Sequence, residues 1–169
     1  MTIERLCIHA ADNDALRDLA EVDVIAGSGI VGDRYFSRAD EPGQNITFVE
    51  AEAIEAFLAA QGRPVDLLVT RRNVVTRGVR LNDLVGKTFT VGGLRFRGVE
   101  LCEPCLGLGQ ALASPELRPA DVVRAFVRRG GLRADALSSG TLKCGDAFGG
   151  DENERVVAAL SPPVVARSI

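Results

Sequence analysis

The sequence has a single histidine, His9, and no Gly-x-Ser-x-Gly elbow for it to serve, which argues against a Ser-His-Asp hydrolase. It shows no paired catalytic carboxylates either, since Glu50, Glu52 and Glu55 fall mostly on the solvated side of a helical stretch. No apolar run reaches about 18 residues, so a membrane-spanning helix is not expected. No repeat, heptad pattern, low-complexity tract or Pro/Gly/Ser linker divides the chain. Charge of one sign is also scarce: 20 Lys and Arg against 23 Asp and Glu leave a net −3, which argues against nucleic-acid binding through bulk charge. The N-terminal MTIERLCIHAADNDALRDL carries charges where a signal peptide needs its apolar stretch, which makes the cytoplasm the expected compartment. There, Cys7, Cys102, Cys105 and Cys144 read as thiols rather than bridges.

What is present suits one soluble domain. A chain of 169 residues can bury about two thirds of its unfolded surface and needs no metal or disulfide to hold a core. Val22 to Ile25 and Asn45 to Val49 are β-rich, and Thr88 to Val91 with Leu94 to Leu101 flank Gly92-Gly93 at the spacing of a tight hairpin. In the second arm the apolar positions shift phase, from Leu94 and Phe96 to Val99 and Leu101, which predicts a bulge at Gly98. Helices are predicted over Glu50 to Gln61 and over Pro119 to Arg129, each with one apolar face. Many short strands with few helices favour a mainly β barrel over a doubly wound sheet.

Three segments carry possible chemistry. Gly27 to Gly32 satisfies G-x-G-x-x-G, but it leads into SRADEPGQN rather than a helix, so it reads as a turn between strands. Cys102 and Cys105, in LCEPCL, could form a redox dithiol, half of a zinc site, or one working thiolate beside a bystander. Zinc needs four ligands, and Cys7, His9 and Cys144 offer no second close pair. A thioredoxin-like dithiol needs a sustained helix after Cys105, and LGLGQALASP, with two early glycines and a proline, is a poor one. Finally, RRNVVTRGVR concentrates Arg71, Arg72, Arg77 and Arg80. This is either a solvated sheet edge or an anion pocket in which guanidinium forks grip phosphate and Asn73 fixes a neighbouring polar group.

Taken together, GSGIVGDRY (27–35), GQNITFVEAEAIEAF (43–57), RRNVVTRGVRLNDLVGKTFTVGG (71–93), LCEPCLGL (101–108) and RRGGLRADALSSGTLKCGD (128–146) resemble the MOSC domain. This is the C-terminal module of molybdenum-cofactor sulfurases, which also occurs as small free-standing bacterial proteins. The segments follow family order and match most clearly over 20–146. A single MOSC domain is therefore expected over 1–148, with a peripheral tail over 149–169.

The resemblance implies a closed β-barrel similar to the β-barrel domain of pyruvate kinase, with a few flanking helices and a pocket for a pterin-based molybdenum cofactor. The family's hallmark cysteine, a molybdenum ligand in the amidoxime-reducing relatives and a proposed sulfur carrier elsewhere, aligns with Cys105. Arg71 and Asn73 fall on its R-x-N element and would hold the cofactor's phosphate and pterin edges. Asn45 and Thr47 would line the same pocket, and Asp33 and Arg34 belong to a GDR signature whose usual following histidine is Tyr35 here. Cys102 then reads as a pocket neighbour, and Pro104 as a device that points Cys105 outward.

The implied activity is reduction of N-hydroxylated small molecules at a Cys105-ligated molybdenum, with electrons from a separate reductase. The alternatives are a sulfur carrier loaded by a cysteine desulfurase, and a zinc- or dithiol-binding module. Pyridoxal phosphate is not expected, because the chain lacks the large lobe that binds it in full sulfurases. No nucleic-acid or membrane partner is expected.

Overall fold

The computed structural model describes residues 1–149 apart from 11, 13, 14, 39–41 and 44, so almost all of the expected tail over 149–169 lies outside the described residues. The order is β1 (Thr2–His9), β2 (Leu16–Leu19), β3 (Glu21–Ile25), β4 (Gly29–Ile30), β5 (Ile46–Glu50), α1 (Ala51–Ala60) and β6 (Val74–Arg77). After a 3-10 turn at Leu81–Leu84 come β7 (Thr88–Val91), β8 (Leu94–Leu101), α2 (Leu106–Leu112), α3 (Pro119–Ala125), β9 (Leu132–Ala136), β10 (Gly140–Lys143) and β11 (Phe148–Gly149).

The expected closed barrel does not form. One sheet runs β11-β7-β8-β9-β5-β6-β1-β2, a second runs β10-β3-β4, and both are open. A barrel needs a continuous ladder around its circumference. Here β2 occupies the free edge of β1 from Leu6 to His9, and the two-residue β11 pairs with β7. Between β1 and β11 there is no strand ladder among the described residues, but an isolated bridge between Thr2 and Ala147 with a few backbone hydrogen bonds of Met1 and Ile3 to residues 145–148.

The strands form for the reasons their patterns suggest. β7 and β8 pair from Thr88–Arg97 to Val91–Leu94 around Gly92-Gly93. The β8–β9 register shifts between Gly98 and Glu100, which is the predicted bulge. The G-x-G-x-x-G segment is the β3–β4 turn. Gly29 adopts φ +96 there, and a Cβ would lie 2.4 Å from the Asn45 carbonyl oxygen, so the glycine serves packing rather than a dinucleotide.

β5 and β6 pair in parallel at the centre of the large sheet, with α1 between them in sequence, and each contributes to two cores. On one side Phe48 and Val74 join Leu6, Phe89, Phe96 and Leu132, with the Phe48 ring edge-on to Phe89 at 5.6 Å and to Phe96 at 5.5 Å. On the other, Val49 and Val75 pack beneath Ile54, Phe57 and Leu58 of α1, Leu108 and Leu112 of α2, and Val122 of α3.

Two helices depart from expectation. α3 ends at Ala125 rather than Arg129, because Arg128 has φ +58, a left-handed conformation that cannot continue a helix. α2 forms despite its glycines. A Cβ on Gly109 would lie 2.7 Å from the Pro119 carbonyl oxygen, so this glycine allows α2 to lie close against α3, and tertiary contact overrides weak propensity. Among the described residues no helix is long and apolar enough to cross a membrane.

Candidate functional site

The site begins with an amide that braces three segments. Asn73, just before β6, accepts from the Thr47 backbone N–H at 3.1 Å and from the Thr47 hydroxyl at 2.8 Å through Oδ1. Its Nδ2 donates to Asp33 Oδ2 at 3.1 Å and to the Cys7 carbonyl at 3.3 Å. Asp33 is buried, and its carboxylate also accepts the backbone N–H groups of His9 and Tyr35. The network ties β1, β5, β6 and the segment after β4 together, and satisfied polar groups at and below the surface rigidify what they join.

Around this brace the expected site residues divide. Thr47 reaches the cavity described below. Asn45 is buried, and its Oδ1 accepts the Ala136 backbone N–H at 3.2 Å. The Arg34 guanidinium lies 4.9 Å from the Tyr35 ring centroid. Arg71 has φ +58, and its Nε donates to Nε2 of the buried His9 at 3.2 Å. The other arginines of the same segment separate as well: Arg77 binds Glu4 and Glu55, and Arg80 pairs with Asp83. The segment is therefore no solvated edge, because β6 lies between β5 and β1.

Arg72 takes the position sequence reasoning gave to its neighbours. It lines a cavity of about 430 Å³ with Tyr35, Thr47, Glu100, Cys102, Glu103 and Arg133. Its Nε donates to the Gly130 carbonyl at 3.1 Å, and it has no carboxylate partner among the described residues. Arg133, on β9, pairs with Glu100 at 2.7 Å and donates to the Gly43 carbonyl. Two arginines and two glutamates balance the charge of the lining, but Arg72 has no direct carboxylate partner among the described residues, so its guanidinium is the group there that can turn to an anion. Sequence reasoning missed Arg133 and Glu100. The available signal was their position: Arg133 sits within the matched segment 128–146, and Glu100 follows the predicted bulge.

The cysteines sort by environment. β8 delivers Cys102 into the cavity wall, where burial pushes its thiol above the usual range. Three residues on, Cys105 is exposed at the residue preceding α2. The Leu108 amide, with the Gly107 amide and the Arg72 charge, holds its thiol below the ordinary value against a smaller opposing effect of burial. Cys7 is fully buried beneath β6, donates to the Arg72 carbonyl, and is pushed up to about 12 by burial. Burial also raises Cys144. No disulfide forms among them, and no group of three or more His, Cys, Asp or Glu residues gathers to hold a metal among the described residues.

Fold and site together describe a small, mainly β domain in which, among the described residues, one exposed thiol with a lowered pKa lies near a cavity lined by guanidinium and carboxylate groups. A family model described as the MOSC domain matches residues 9–148, and the chain belongs to that family. Its fold is similar to that of the YuaD protein of Bacillus subtilis, with TM-score 0.72 and 21% identity over 88% of this chain and 94% of that one. YiiM from Geobacillus stearothermophilus is similar at TM-score 0.65 and 15% identity, over 87% of this chain and 73% of that one. YiiM from Escherichia coli is similar at TM-score 0.59 and 12% identity, over 89% and 70%. At these identities the likeness is one of fold. No curated protein sequence matches the chain.

Proposed function

We propose that this domain binds a pterin-based molybdenum cofactor, with Cys105 as protein ligand, and reduces N-hydroxylated small molecules. The observation that carries the reading is the contrast between the two neighbouring thiols: Cys105 is exposed and favoured as thiolate, while Cys102 is buried and favoured as thiol.

The residues present fit such a group. Molybdenum takes soft thiolate ligands, and Cys105 offers one. Arg72, with no direct carboxylate contact among the described residues, supplies a guanidinium for the cofactor's phosphate, and the cavity of about 430 Å³ lies within the usual range for small-molecule sites. The cofactor, when bound, supplies two-electron oxygen-atom transfer. Arg133, oriented by Glu100 and the Gly43 carbonyl, helps bind the anionic edge, and Thr47, held by Asn73, presents a fixed hydroxyl. Asn73 and Asp33 act through those groups as positioning residues. Each N–O bond reduced consumes two electrons and two protons and releases water, so a separate electron-donor protein is required.

The exposure of Cys105 favours one second reading, that of a sulfur carrier. Its thiolate would attack the outer sulfur of a desulfurase persulfide, forming a Cys105 persulfide as the donor thiolate leaves.

Protein expressed in a cofactor-competent host separates the readings by metal and pterin analysis. The first expects stoichiometric molybdenum and pterin, lost in Cys105→Ala and kept in Cys102→Ala. Persulfide on Cys105 without molybdenum would replace it by the second. Zinc that depends on both cysteines would overturn both.

A further inference from the structure

We propose that a second cavity, formed by Arg80, Arg128 and Arg129, is a binding site for a phosphorylated small molecule, separate from the Cys105 site. It has a volume of about 430 Å³ and is completed by Glu50, Asn82 and Val127. It lies toward the end of β5, which Glu50 closes, whereas Thr47 near the start of the same strand faces the first cavity.

Three observations converge on an anionic ligand. Arg128 and Arg129 carry no ion pair among the described residues, and Arg80 holds only an exposed contact with Asp83 at 3.1 Å, which a stronger anion can displace. The polar residues of the lining are committed to the backbone that carries these cations. Asn82 Nδ2 donates to the Arg128 carbonyl at 3.0 Å, and Glu50 Oε1 accepts the Leu81 N–H at 2.9 Å, which fixes the 3-10 turn directly after Arg80. Arg128 also adopts φ +58, a conformation for which glycine is the relaxed choice. An arginine kept in a strained turn, held there by a side-chain hydrogen bond and lining a cavity, is a placed guanidinium.

Guanidinium forks match phosphate oxygens bidentately, and three of them around one concavity suit a phosphate monoester or diphosphate better than a single carboxylate. The concave shape favours a small ligand over a flat protein face. Glu50 tempers the positive field, so a singly charged anion gains less than a multiply charged one.

The test uses the full chain purified without molybdate, so its outcome does not depend on the role of Cys105. Pyrophosphate and inorganic phosphate are titrated calorimetrically at constant ionic strength against wild type, Arg128→Gly, Arg129→Gln and Arg72→Gln. Glycine suits the backbone at 128 and Arg129 is exposed, so both variants retain the fold. The expected result is a saturable pyrophosphate-binding component that weakens at least tenfold in Arg128→Gly and in Arg129→Gln and persists in Arg72→Gln, where any component at the first cavity is lost. No saturable binding, equal binding by all four proteins, or loss in Arg72→Gln alone would overturn the proposal.

Discussion

The two cavities share a volume of about 430 Å³, and each is flanked by an Arg-Arg pair whose first arginine has φ +58. They differ in what supports them. Beside Arg71-Arg72 lies the brace of half-buried Asn73 and Thr47 with buried Asp33, and the first arginine turns to His9 so that only the second lines the cavity. Beneath Arg128-Arg129 single hydrogen bonds from Asn82 and to Glu50 hold the backbone, and both arginines line the cavity. Among the described residues, a thiol with a lowered pKa accompanies the first cavity and none lines the second. The difference separates requirements: binding an anion needs placed cations, whereas chemistry at a thiolate also needs a rigid frame.

Removing the thiol should produce the largest contrast. Cys105→Ala is expected to lose roughly 100-fold or more in molybdenum affinity, since even residues that only orient metal ligands contribute 10- to 100-fold. The same substitution should leave pyrophosphate binding at the second cavity unchanged. In the apo protein, iodoacetamide should alkylate Cys105 below pH 9 while Cys7 and Cys102 stay protected. Labelling that begins at Cys102 would reverse the assignment of the working thiol.

The frames can be compared next. Asn73→Ala takes the acceptor from the half-buried Thr47 N–H and one of three donors from the Asp33 carboxylate, and should cost about 2–3 kcal/mol in urea unfolding. Asn82→Ala removes one exposed hydrogen bond and should cost about 1 kcal/mol or less. Equal costs would remove the distinction between a frame for chemistry and a simple binding surface.

A pH titration tests the thiol beneath the first cavity. The ordinary cysteine value is 9.0, and Cys7 in the folded protein lies at about 12. Folding therefore favours its protonated form. That stability is fully present below pH 9 and declines as pH rises toward 12, because the unfolded chain ionises first. Linkage gives a loss of about 2–3 kcal/mol by pH 11, and Cys102 contributes in the same direction. Cys7→Ala should flatten the decline in urea unfolding series at pH 8 and pH 11. A decline as steep as in wild type would assign it to other groups.

The smallest effect is the sharpest comparison. Arg128→Gly should stabilise the protein by about 0.5–1 kcal/mol through relief of the positive φ. Arg71→Gly relieves the same strain but withdraws the guanidinium from His9, so no gain is expected. Thermal melts of the two variants read the difference. A gain in both would mean that the His9 contact contributes nothing to the frame.

Local patterns in the sequence revealed a good part of this arrangement. The Gly92-Gly93 hairpin, the phase shift at Gly98 and the apolar face of α1 depend on neighbours along the chain, and each forms where the pattern placed it. The family was readable too, because five segments in order constrain it more than any single motif. Helix α2 was not readable, because Gly109 looks like a helix breaker until Pro119 is known to pack against it. Nor was the division of labour among the arginines, since adjacent side chains point to different neighbours and spacing cannot say which one meets His9, a carboxylate or a cavity.

Alternation and clustering along the chain were enough for several of the strands, two of the three described helices and the family. That the large sheet stays open, that Arg72 rather than Arg71 lines the first cavity, and which amides and charges surround Cys105 came only with the folded structure. Closure, burial and electrostatic environment arise between residues far apart in the chain. They depend on where β2, Gly130 and the amides of α2 come to rest, which no local pattern records.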